Sequence, residues 1–65
     1  MIAERIKELR LEKGLSQQAL AKEIGVSQKA IDFWENGVNE PKASYIIALA
    51  AFFGVSTDYL LGVSD

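Results

Sequence analysis

The chain has 65 residues with no cysteine, no histidine and a formal charge of −2, so it holds one domain that buries only about 60% of its unfolded surface and gains nothing from a disulfide or a thiolate metal site. Its most apolar run, Tyr45 to Phe53, is far shorter than the ~20 residues needed to span a bilayer. The start, Met-Ile-Ala-Glu-Arg, lacks a signal-peptide pattern, so a soluble cytoplasmic protein is expected.

Residues 2–13 alternate charges on a helical frame, with Ile2, Ile6 and Leu9 at i, i+4 and i+7 as the inward stripe and Gly14 as the stop. Leu15 then staples the start of a second helix over 17–24, for which Ser16 is the N-cap. Leu20, Ala21 and Ile24 fall on one side of that helix. Gly25 can take a positive φ and turn the chain, and the Ser27 hydroxyl can cap a third helix over 28–36. There Ala30, Ile31 and Trp34 cluster on one side and Gln28, Lys29, Asp32, Phe33 and Asn36 on the other. Two short helices thus present apolar faces to each other across a glycine turn. Ala21 is small enough for a close crossing, with Ile31 as the branched plug opposite. This is a helix-turn-helix pattern.

Asn36-Gly37 ends the third helix, and Val38 to Pro41 with Lys42 make a surface loop. A fourth helix over 44–53, stopped by Gly54, is apolar almost all round. Ile46, Ile47, Leu49, Ala50 and Phe53 suffice for its core side, which leaves Tyr45, Ala48 and Phe52 as a second stripe available for an interface. Ser56 caps a last helix over 57–61, with Asp58 in its first turn and Tyr59, Leu60 and Leu61 to close the core or meet a partner.

Gln17, Ala21, Gly25, Ile31 and Trp34, followed by Glu35-Asn36-Gly37, resemble the DNA-binding domains of the phage Cro and repressor (XRE) family. Arg10, Gly14-Leu15-Ser16-Gln17, Glu40-Pro41 and Phe53-Gly54-Val55-Ser56 also fit, so the resemblance covers nearly the whole of residues 1–65. It implies an all-α, compact five-helix bundle of the lambda-repressor type and a transcriptional regulator that binds double-stranded DNA, with helix 28–36 in the major groove. It further implies a partly buried ion pair between Arg10 and Glu35, phosphate contacts from the loop at Asn36 and Lys42, and dimer contacts at Thr57, Asp58 and Tyr59. It would lead one to expect polar residues at several positions of the fourth helix, where this chain has apolar ones.

On the polar face of the third helix, Gln28 can pair twice with adenine, Lys29 can donate to guanine, and Phe33 can touch a thymine methyl. Asp32 is repelled by phosphates. Either it accepts from a cytosine amino group, gaining specificity at a cost in affinity, or it caps locally or pairs with Lys29 at i−3. The free amides and positive dipole end at Gln17 suit a phosphate. Residues 1–31 hold Arg5, Lys7, Arg10, Lys13, Lys22 and Lys29 against Glu4, Glu8, Glu12 and Glu23, a net +2, whereas 32–65 net −4. Binding would therefore depend on a local basic rim and be sensitive to salt. One recognition helix reads few base pairs, so a homodimer on a near-palindromic operator is expected.

Without His or Cys, and with no serine beside a base or glycine-rich phosphate loop, no enzyme activity, cofactor, metal or small-molecule ligand is expected. The rival function is a protein-interaction module, such as an antitoxin or anti-repressor, using the Tyr45, Ala48 and Phe52 stripe.

Overall fold

A computed structural model describes residues 2–64. Five helices follow one another: α1 (Ile2–Glu12), α2 (Gln17–Ile24), α3 (Gln28–Glu35), α4 (Ala43–Phe53) and α5 (Thr57–Leu61). The described residues contain no strand, and the arrangement is an all-α five-helix bundle. The expected helices all form, with ends that shift by a residue. α1 stops at Glu12 because the Gly14 amide turns back to the Leu11 carbonyl (2.9 Å) and the Leu15 amide to that of Arg10 (3.1 Å). Asn36 is the C-cap of α3 rather than its last turn, with φ −98° and ψ 3°. α4 starts at Ala43, before Ser44, because the extended Lys42 already offers its carbonyl to the amides of Tyr45 (2.9 Å) and Ile46 (3.0 Å).

Helix starts share one chemistry. Ser16, Ser27 and Ser56 each accept from the amide three residues on, at 3.0 Å from Ala19, 3.1 Å from Ala30 and 2.9 Å from Tyr59. Each bond satisfies an amide that the helix itself cannot. At the turn between α2 and α3, Gly25 sits at φ 84° and its amide bonds the Ala21 carbonyl at 2.8 Å. A Cβ there would meet nothing within 4 Å, so glycine is needed for its left-handed backbone and not for space.

The core gathers Ile2 and Ile6 from α1, Leu20 and Ala21 from α2, Ile31 and Trp34 from α3, Leu49 and Ala50 from α4, and Leu60 from α5. Ile6, Leu20, Ile31, Leu49 and Leu60 are wholly shielded from solvent. α3 lies between α1 and α2, while α5 packs on α1 and α4. Trp34 is buried at the centre, and its ring meets that of Tyr45 at 5.6 Å between centroids.

Two expectations for α4 fail together. Ile47, assigned to the core, is 62% exposed, whereas Tyr45 and Phe52, assigned to an open interface stripe, are half-buried and pack against the core. The inward line of α4 is Ile46, Leu49, Ala50 and Phe53, at i, i+3, i+4 and i+7. Tyr45 and Phe52 flank that line on the side covered by Trp34 and by the Lys13 ammonium, which lies 5.3 Å from the Phe52 ring. Ile47 points the other way. Ala48 is also half-buried, so the stripe offered to a rival protein partner is largely taken up inside the domain.

Candidate nucleic-acid interface

The helix-turn-helix is fastened from below by a buried ion pair. Arg10 of α1 donates to both carboxylate oxygens of Glu35, from Nε at 2.6 Å and from Nη2 at 3.0 Å. Its third donor, Nη1, reaches the Leu15 carbonyl at 2.8 Å, so one guanidinium ties the end of α3 to the turn before α2. Hydrogen bonding to Glu35 raises the Arg10 pKa above its ordinary value, against burial, which acts in the opposite direction. A forked guanidinium matches a carboxylate in this way, where a lysine would supply a single point charge.

Gln17 extends the network. Its Nε2 donates to Glu35 Oε1 and to Asp32 Oδ1, both at 3.2 Å. Asn36 joins from the other side, Nδ2 donating to the Asp32 carbonyl at 2.8 Å and to Asp32 Oδ1 at 3.0 Å. The local Asp32–Lys29 pair considered from sequence is replaced by these amide contacts, and the Lys29 ammonium lies instead 5.7 Å from the Phe33 ring centroid. Asp32 is half-buried and two amide groups solvate its Oδ1. It is therefore no bare carboxylate facing the groove.

The expected contact residues divide accordingly. Gln28 and Lys29 stand exposed on the first turn of α3, next to the half-buried Phe33. Gln17 is half-buried and turned towards α3, while Asn36 is exposed but tethered to Asp32. Lys42 is exposed at the N-cap of α4, after a Pro41 that is buried and anchors the loop. Thr57 and Tyr59 are half-buried, and Asp58 is exposed.

Sequence reasoning missed Arg5. Its guanidinium stacks 4.1 Å from the Tyr59 ring centroid and donates from Nη1 to the carbonyls of Tyr59 and, at 2.9 Å, Ser64. Nothing local to Arg5 marks this, because the partners lie at the far end of the chain.

A family model described as "Helix-turn-helix" matches residues 6–60. The chain belongs to this Cro/repressor-type family. It is 39% identical over 61 residues to the SPbeta prophage-derived uncharacterized HTH-type transcriptional regulator YonR of Bacillus subtilis (strain 168), covering 94% of this chain and 56% of that protein. It is also 39% identical over 61 residues to Repressor protein C2 of Salmonella phage P22, of which it spans 28%. The structure of the P22 c2 repressor in complex with a synthetic operator superposes with a TM-score of 0.88 at 38% identity, over 92% of this chain and 91% of that one. The chain thus spans about half the length of the first of these relatives and less of the second. The matched residues take in α2, the turn at Gly25 and α3, and the Arg10–Glu35 pair ties α3 to α1.

Proposed function

We propose that residues 1–65 form a sequence-specific domain for double-stranded DNA, acting in the cytoplasm in transcriptional regulation, with α3 in the major groove. The observation that carries this is the presentation of α3: capped at Ser27 and tied down through Glu35, it offers Gln28 and Lys29 exposed at its first turn. Recognition helices place the side chains of their N-terminal turn on base edges. Gln28, Lys29 and Phe33 read bases in this proposal, and Lys42, Asn36 and the start of α2 at Gln17 hold phosphates.

The two groups should fail differently. Gln28→Ala is expected to cost about 1–3 kcal/mol on a site selected from a random pool and to blur one base position, and Lys42→Ala to weaken all duplexes alike and flatten the salt slope by about one. Titrations of each variant on selected and random DNA measure both. An equal loss on the two duplexes for Gln28→Ala would remove it from base reading.

We further propose that two copies bind one operator. A single α3 reads few base pairs, and a net charge of −2 adds little electrostatic affinity. Thr57, Asp58 and Tyr59 form the two-fold contact, helped by Leu61 and Val63, which are 41% and 70% exposed beside them. The recognition helices then lie about 34 Å apart on one face of the duplex, which calls for a near-palindromic site. Sedimentation of the saturated complex should show two chains per duplex. One chain on a site without an inverted repeat would end the dimer proposal.

A further inference from the structure

At Gln17 and Asn36, two of the positions assigned to phosphate, the side-chain amides are already in use. The two hydrogens on Gln17 Nε2 go to carboxylates, one on Asp32 and one on Glu35, each at 3.2 Å. The two on Asn36 Nδ2 go to the carbonyl and Oδ1 of Asp32, at 2.8 and 3.0 Å. A side-chain amide supplies only two hydrogens, so a phosphate oxygen can take one only by displacing an acceptor on α3. Asp32 is the shared acceptor. Glu35 differs from it in being sealed, with its side chain 2% exposed and Arg10 at 2.6 Å, while Asp32 is half-buried and its partner Asn36 is exposed.

Resting on the DNA-binding reading above, we propose that Asp32 is a positioning residue that latches the Gln17 and Asn36 amides onto α3 in the free protein and releases them to phosphates on docking. The latch opens because water and phosphate reach it, and the Arg10–Glu35 bond beneath it stays closed. Its release is charged against affinity for every duplex alike, since phosphate contacts carry no sequence information. Repulsion between the Asp32 carboxylate and the backbone lowers affinity in the same direction, but the two effects separate. Repulsion is screened as salt rises, whereas exchange of one hydrogen bond for another is not.

The test measures binding of a random-sequence duplex at low and high salt for the parent, Asp32→Ala, Gln17→Ala/Asn36→Ala and the triple variant, with Asp32→Asn as a control that removes charge and keeps an acceptor. Asp32→Ala should bind about three- to tenfold tighter than the parent, the worth of one or two net hydrogen bonds, and keep much of that gain at high salt. In the Gln17→Ala/Asn36→Ala background the gain should shrink to that of Asp32→Asn and fade with salt. The Gln17 side-chain amide signal, followed by NMR, should move when the parent is saturated with duplex. Melting curves confirm that each variant is folded, and Asp32→Gln, which keeps helix propensity but displaces the acceptor, replaces Asp32→Ala if that variant does not fold. Equal gains in both backgrounds, or an amide signal that holds its position, overturn the latch while leaving DNA binding intact. A parent that binds no duplex overturns the DNA-binding reading, and the latch with it.

Discussion

Trp34→Ala is expected to remove most of the stability of this domain. The indole is 6% exposed, meets the Tyr45 ring at 5.6 Å and belongs to the cluster that joins all five helices. Truncating a buried Trp costs about 3–5 kcal/mol, and a single core of this size rarely supplies more than that. At about 4–8 °C per kcal/mol for a small domain, the melting temperature should fall by at least about 12 °C. A thermal melt followed by circular dichroism measures it. A variant melting within a few degrees of the parent would show that the cavity collapses and that Trp34 is dispensable to the core.

The second large effect belongs to Arg10 and Glu35. Arg10→Ala leaves a carboxylate that is 2% exposed with only the Gln17 amide to solvate it, and Glu35→Ala strands a buried guanidinium. Either should cost about 3–5 kcal/mol, because an uncompensated buried charge is the most expensive group a core can hold. Arg10→Met with Glu35→Leu should cost much less than the sum, since apolar groups of similar volume remove the desolvation penalty with the attraction. The double variant will not be neutral: the Leu15 carbonyl loses its donor at 2.8 Å, worth about 1 kcal/mol. Urea unfolding of the parent, Arg10→Met, Glu35→Leu and their double variant, a cycle built on the same two substitutions, gives the coupling. Additive losses would mean that the two side chains contribute independently.

What was legible in the sequence was the chemistry that acts within one turn of chain. Three serines stand three residues before the amides they cap, and Gly25 marks the left-handed turn, so helix positions followed from local rules. The phases of α1, α2 and α3 were legible too, because polar and apolar residues alternate there at helical period. α4 has no charged residue, so its pattern carries little information about rotation, and Ile47 and Tyr45 were placed on each other's sides. Side chains that reach between helices escaped for another reason. Whether Gln17 meets Asp32, or Arg5 meets Tyr59, depends on crossing angles and separations that no spacing along the chain encodes. The Arg10–Glu35 pair is of the same kind, and only the family resemblance anticipated it.

The Arg5 contact with Tyr59 and Ser64 also makes the domain a ring. It joins positions 54 and 59 residues apart and thus lays the two ends of the described chain side by side. Loop-closure entropy rises only with the logarithm of length, so closing this long circuit costs about 0.6 kcal/mol more than closing one half as long. The helices in between pack into one core, α3 on α1 and α2, and α4 on α2 and α5, which shortens the circuit left to close. With those contacts made, little chain freedom remains to be lost where α1 meets α5, and the Arg5 guanidinium on the Tyr59 ring is the clasp.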